Sequence, residues 1–203
     1  MPHSDPPPDP PTATFLDLLE ATLRGVDGWG TFRRGARHAA VNVILFHCAG
    51  RWRIPFVVRR PDLRSHPGQV GLPGGRVEAD ESGLDAALRE TEEEVGVPRA
   101  ALRPLGAAPP VYAAVTNFAV ATFVTYLPDP PPSFTWDPGE LVGVVSVALE
   151  ELLDPDAWQL RGPHHGRQLA TQDVVIWGLT ERILARVLPF LRRARNATRS
   201  ATP

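Results

Sequence analysis

Apolar and polar positions alternate along this chain with two periods, and the switches between them mark out its elements. Residues 14–23 place Phe15, Leu18, Leu19 and Thr22 at helical spacing, which predicts a first helix. Residues 40–47 are a run of branched apolar side chains and read as a buried strand. A turn at residues 49–51 follows, and residues 54–59 return as a second strand. Residues 61–75 are dense in Gly and Pro and predict a loop, ahead of a helix over 82–95. Residues 105–108 and 114–127 read as strands, the second long enough to bend or bulge. A proline-rich loop spans 128–138, a strand 142–148 and a short helix 149–153. A last strand closes near Val174 or Val175, and a long amphipathic helix runs from Gly178 to about Arg193. This order of strands and helices predicts an α/β protein with a mixed sheet sandwiched between helices.

Composition narrows the picture. The 203 residues suffice for one domain with a full core. Residues 1–13 contain six prolines and few apolar groups, too little to offset the entropy of ordering, so they read as a flexible tail. The domain is placed at 14–195, with 196–203 frayed. A net charge of −2 offers no basic field for nucleic acid. No apolar stretch is long enough to span a membrane, and no signal core precedes the domain. Cys48, the single cysteine, has no internal partner and lies in an apolar run, where a buried thiol is expected. These features together predict a cytoplasmic protein.

The chemistry concentrates in the helix over 82–95. Ser82 and Asp85 resemble a capping box at its start, and Gly96 suits the left-handed residue that ends it. Leu84, Ala87, Leu88, Thr91 and Val95 form the expected core face. Glu90, Glu93 and Glu94 fall on another side, roughly 120° away at about 100° per residue. Three carboxylates so close repel one another. A solvated acidic face is one reading; hard divalent cations with oxygen ligands are the other. The Gly74-Gly75 pair just ahead favours the second, because it exposes backbone and lets a ligand approach closely.

Gly75, Glu81, Arg89, Glu90, Glu93, Glu94 and Gly96 match every fixed position of the Nudix box, and the chain resembles the Nudix hydrolase family. Thr91 stands where an aliphatic residue is usual. The resemblance implies a Nudix-type α/β/α sandwich and hydrolysis of a nucleoside diphosphate derivative with Mg²⁺ or Mn²⁺. It implies Glu90 and Glu94 as principal metal ligands, Glu93 as a further ligand or a base, and the Gly75 carbonyl as an added ligand. Arg89, grouped with the catalytic residues, would hold a neighbouring carboxylate, with Glu81 a plausible partner. Glu140, in the Asp137-Pro138-Gly139-Glu140 stretch, would reach the metals as ligand or base.

The loop before the box carries substrate information. His66, Gly68, Val70, Pro73, Gly74 and Gly75 resemble the signature of the coenzyme A pyrophosphatase subfamily, with Leu72 where Phe is usual. Residues 176–183 also resemble that subfamily's final helix start. The resemblance implies a CoA-like small-molecule substrate, split to 4′-phosphopantetheine and adenosine 3′,5′-bisphosphate. Arg59, Arg60, Arg64, His66 and Gly74 are the candidate substrate contacts, since guanidinium grips phosphate in bidentate fashion. A Trp opening an amphipathic helix, as Trp177 does, reads as a core anchor, and His164-His165 as a solvated loop. Alternatives stay open: a Nudix enzyme acting on ADP-ribose, a dinucleotide or a nucleoside triphosphate; a non-catalytic nucleotide-binding regulator; an isomerase. A homodimer is equally open.

Overall fold

A computed structural model of the chain describes residues 12–23, 25, 35–63, 67–130, 133–160 and 166–200. The candidate substrate contacts Arg64 and His66, the pair His164-His165 and nearly all of the proline-rich N-terminal segment lie outside these residues.

The first helix, α1 (Thr12–Thr22), starts two residues earlier than its apolar spacing indicated. Strand β1 (Arg37–Cys48) and strand β2 (Arg51–Arg59) form a hairpin whose two turn residues, Ala49 and Gly50, have φ of 50° and 76°. Left-handed conformations at both centres match the twist of the flanking strands. Cys48 ends β1 at this turn and is exposed, not buried: the apolar run stops at Phe46, and the hairpin tip projects from the core.

Two short strands follow, β3 (Val70–Gly71) and β4 (Gly74–Arg76), then helix α2 (Gly83–Val95). Strand β5 (Arg103–Ala113) is longer than expected, and β6 (Phe118–Tyr126) shorter. Residues 114–117, expected in a strand, form the turn between them. The bulges fall in β5, at Pro104/Gly106 and Ala108/Val111. Within the described sheet β5 pairs with β6 alone, so it lies at an edge and Pro109-Pro110 are tolerated there. Strand β7 (Leu141–Ala148) and helix α3 (Leu149–Leu153) complete the middle of the chain.

Among the described residues the main sheet has seven strands, in the order β3-β2-β1-β6-β5, with β4 on β1 and β7 on β2. β1 runs parallel to β6 and antiparallel to β2 and β4, so the sheet is mixed. Side chains of β1 alternate between two cores. Val43 and Leu45 join the larger one with Phe15, Trp52 and Leu184, while Ala40, Ile44 and Phe46 face α2. A strand covered on both faces explains why its sequence is almost continuously apolar.

Three short strands, β8 (Trp158–Leu160), β9 (Arg167–Ala170) and β10 (Val175–Trp177), form a second sheet. The last strand was expected; the sheet was not, because strands of three or four residues show too little periodicity. Helix α4 (Gly178–Ser200) continues past the boundary at 195 instead of fraying at 196. Its buried stripe runs through Leu184, Val187, Leu191, Ala194 and Thr198, and Arg195 pairs with Glu150 at 3.5 Å. Burial of one face holds the final turns that composition alone would leave loose. Helices α1 and α4 pack on one side of the sheet and α2 on the other.

Candidate active site

The site is organised by how α2 meets β1 and β4. The Ser82 hydroxyl oxygen accepts from the Asp85 N–H at 3.1 Å and caps the helix start. Gly96, at φ 69°, closes its end by donating to the Glu92 carbonyl. Ala86 and Ala87 pack against Ala40 and Ala121, and these small side chains let the helix approach the sheet closely. Leu84 and Leu88, expected in the core face, are half-buried and pack against its edges, and Gly83 and Ala86 are buried beside them. Thr91 is fully buried and explains its own departure from an aliphatic residue. Its hydroxyl accepts from Asn42 Nδ2 at 3.1 Å and donates to the Ala87 carbonyl at 2.7 Å. Asn42 in turn accepts from Thr125 at 3.0 Å, and its N–H donates to the Pro73 carbonyl at 2.9 Å. One buried network thus ties α2, β1, β6 and the glycine loop together, with each named polar group paired.

The last two turns of α2 carry Glu90, Glu93 and Glu94 to the mouth of a cleft of about 240 Å³. Asp137, Glu140 and Leu141 line the opposite side. Glu140 therefore reaches the same cleft as the helix carboxylates. So does Asp137, which the sequence reading passed over; its only signal was an Asp-Pro-Gly turn directly before a strand. Asp137 shapes that turn: its Oδ1 accepts from the Gly139 N–H at 2.7 Å, and its carbonyl accepts from the Leu141 N–H at 3.0 Å.

Arg89 sits at the centre of the acidic group. Its Nε and Nη2 donate to the two Glu81 oxygens at 2.9 and 3.1 Å. Nη1 donates to Glu90 at 2.9 Å and to Glu93 at 3.1 Å, and Nη2 also reaches the Arg76 carbonyl at 3.0 Å. All its donor nitrogens face protein acceptors, so the guanidinium orients carboxylates and has none left over for substrate. The hydrogen bonds from Arg89 hold the Glu81 carboxyl below its ordinary range.

Glu94 is in the opposite situation. Burial pushes its carboxyl up to about 7, and neighbouring Glu90 and Glu140 add to the rise. The Gly74 N–H donates to this carboxyl at 3.0 Å, and this bond and the charge of Arg59 oppose the shift. Burial also raises Glu90. A Cβ built on Gly75 would run into the Glu90 carboxylate, and one on Gly74 would overlap the backbone of β1. Both glycines are therefore needed for close approach.

The two adjacent arginines of β2 and its extension diverge. Arg60 donates to Asp62 at 2.9 and 2.7 Å and to the Pro138 carbonyl at 3.0 Å. Its N–H donates to the Glu140 carbonyl at 3.1 Å. Arg60 thus clamps the 137–140 turn. Arg59 Nε is buried and has no hydrogen-bond partner among the described residues.

Among the described residues no three acid, His or Cys side chains converge into a preformed ligand set. Mg²⁺ does not require one, since it binds through one or two carboxylates, waters and substrate phosphate. The donor chemistry fits such an ion: all-oxygen, with a buried carboxylate whose charge is undercompensated.

A helix-borne carboxylate cleft on an α/β/α sandwich defines a hydrolase that works with divalent cations on phosphate anhydrides. The NUDIX domain model matches residues 36–165. The Nudix hydrolase NudL of Yersinia enterocolitica is 33% identical over 165 residues, 78% of this chain and 83% of that protein. NudL of Cronobacter sakazakii is 37% identical over 146 residues, 63% of this chain and 75% of its own. An Ap4A hydrolase from C. elegans superposes with a TM-score of 0.52 at 18% identity, covering 80% of this chain and 98% of that one. A MutT protein from Methanosarcina mazei gives 0.50 at 18% identity, covering 82% and 98%. These structures show the shared fold. The chain belongs to the Nudix hydrolase family, enzymes that cleave nucleoside diphosphate derivatives with divalent metal ions.

Proposed function

We propose that the enzyme hydrolyses the diphosphate of coenzyme A and its derivatives, releasing 4′-phosphopantetheine and adenosine 3′,5′-bisphosphate. The observation that carries this reading is Arg59: a half-buried cation whose buried Nε has no hydrogen-bond partner among the described residues, and whose charge acts on Glu94 in the mainly acidic cleft. It ends β2, just ahead of the loop whose spacing from His66 to Gly75 resembles the CoA pyrophosphatase signature. Glu90, Glu94 and Glu93, with the Gly75 carbonyl, would hold Mg²⁺ or Mn²⁺. Bound, these ions neutralise the diphosphate and acidify the attacking water.

The chain's own residues supply the rest. Arg89 and Glu81 fix the orientation of Glu90 and Glu93. Gly74 and Gly75 keep the strand backbone within reach of α2. Arg59 binds diphosphate oxygen; Arg64 and His66 belong to the same proposed contact region. Arg60 positions the turn that presents Glu140. Glu93 or Glu140 accepts the proton of the attacking water. The water oxygen bonds to one phosphorus as the bridging P–O bond breaks in line, and the two phosphate products separate. A cytoplasmic setting accompanies this reading; among the described residues no helix is long and apolar enough to cross a membrane.

The test is a panel of CoA, dephospho-CoA, ADP-ribose, a dinucleoside polyphosphate and a nucleoside triphosphate, with Mg²⁺ and with Mn²⁺, products identified by mass. Adenosine 3′,5′-bisphosphate from CoA, at a higher kcat/KM than any product of the others, is expected. Its absence while another substrate is cleaved would overturn the assignment.

A further inference from the structure

Beside the carboxylate cleft lies a second cavity, of about 370 Å³, between the 114–117 turn and the start of α4. That volume suits a small ligand or one arm of a large one. Its lining is mainly apolar: Val70, Ala113, Ala114, Val115, Trp177 and Leu179. Val115 is fully exposed, Leu179 is 37% exposed, and Trp177 is half-buried. Trp177 is therefore not the core anchor its place in the sequence suggested; Ile176, fully buried, fills that role. Apolar side chains left open to water around a concavity mark a binding surface.

The walls are held in place. The Thr180 hydroxyl donates to the Val70 carbonyl at 2.8 Å and fastens α4 to β3. Arg182 Nη2 donates to the Tyr112 carbonyl at 2.6 Å and fastens α4 to β5. The β2–β3 pairing links the cavity to the catalytic cleft. Val58 pairs with Val70 across β2 and β3, and the Arg59 N–H donates to the Gln69 carbonyl at 3.0 Å. Arg59 and Gln69 are thus opposed, and opposed residues of an antiparallel pair project from the same face. Gln69 lines the apolar cavity; Arg59 stands beside Glu94. From Val70 to Gly74 is four residues, at most about 14 Å of chain. A pantetheine arm of about thirteen amide and methylene bonds covers about 15 Å at peptide-like spacing.

We propose that this cavity receives the aliphatic acyl chain of a CoA thioester, so that the enzyme prefers acyl thioesters to free CoA. This rests on the CoA reading above. The mainly apolar lining, with Trp177 beside the aliphatic side chains, favours an alkyl chain, and two fixed hydrogen bonds preform the walls so that binding needs little rearrangement.

The experiment measures kcat/KM for free CoA and for acetyl-, butanoyl-, hexanoyl- and octanoyl-CoA, with wild type and with Leu179→Glu and Val115→Asp. Both substituted side chains are exposed, and a glutamate in the first turn of α4 is favourable there, so the variants fold. In wild type kcat/KM rises about two- to fourfold per added methylene until the cavity is filled, in line with the transfer of a CH₂ from water. In the variants that slope flattens, and the octanoyl-to-free ratio falls toward one. Turnover of free CoA with no dependence on chain length overturns the inference and leaves the CoA reading standing. A slope that persists unchanged in both variants also overturns it. No cleavage of any CoA species overturns the underlying reading itself.

Discussion

Replacing Glu94 with Gln separates stability from function. With the buried carboxyl at about 7 in the folded protein and its ordinary 4.5 when unfolded, the folded state binds more protons between those values. The contribution of Glu94 to stability is therefore fully present at or below pH 4.5, falls as pH rises through 7, and levels off above it. Gln has the same shape, accepts from Gly74 and carries no charge. In chelator, Glu94→Gln should be more stable than wild type by about 3 kcal/mol at pH 8, from a shift of about 2.5 units at 1.36 kcal/mol each. Near pH 4.5 the two should be alike. For a domain of this size that is roughly 6–12 °C in Tm. Thermal unfolding in EDTA at several pH values reads the difference directly. Saturating Mg²⁺ should shrink or reverse it, since a bound ion stabilises wild type by mass action. The variant should also lose more than about a hundredfold in turnover, exceeding the usual cost of losing a residue behind a ligand. An unchanged or lowered Tm at pH 8 in chelator, or an advantage independent of pH, would refute the reasoning.

Three further outcomes follow from the same geometry. Arg89→Ala should lower kcat about 10–100-fold while leaving the protein folded, because the carboxylates lose their orienting partner; unchanged kcat would show that they orient themselves. Gly75→Ala should lower kcat about a hundredfold with little change in denaturant unfolding, as Cβ displaces the movable end of Glu90 from its place; a fully active variant would contradict that close approach. Thr91→Val should cost about 1–3 kcal/mol by stranding Asn42 Nδ2 in the core, and the penalty should shrink when Asn42→Leu is added. Strict additivity of the two changes would count against the network.

Helix α2 was legible because its signals are local. Capping at Ser82, the left-handed Gly96 and the clustering of Glu90, Glu93 and Glu94 follow from spacings within one helix. The neighbouring pair Arg59 and Arg60 shows where local signals end. Both were candidate substrate contacts, yet Arg60 is bound to Asp62 and Pro138 while Arg59 Nε has no partner among the described residues. Asp137 was overlooked for a similar reason: nothing within its own turn shows that α2 lies opposite. Cys48 was assigned to the core by the apolar run around it, and Trp177 by its place at the start of an amphipathic helix. A hairpin tip exposes the first, and a gap between α4 and the 114–117 turn opens beside the second.

The amino-acid sequence by itself determined the box helix, the core strands β1 and β2 of the sheet it packs on and the family to which they belong. Periodicity, caps and short-range carboxylate spacing are properties of adjacent residues. Tertiary structure decided that Arg59 Nε lacks a partner among the described residues, how far Glu94 is removed from water and where an apolar cavity opens beside α4. Those depend on residues 20 to 110 positions apart, whose contacts arise only when α2, α4 and the glycine loop close on the same sheet.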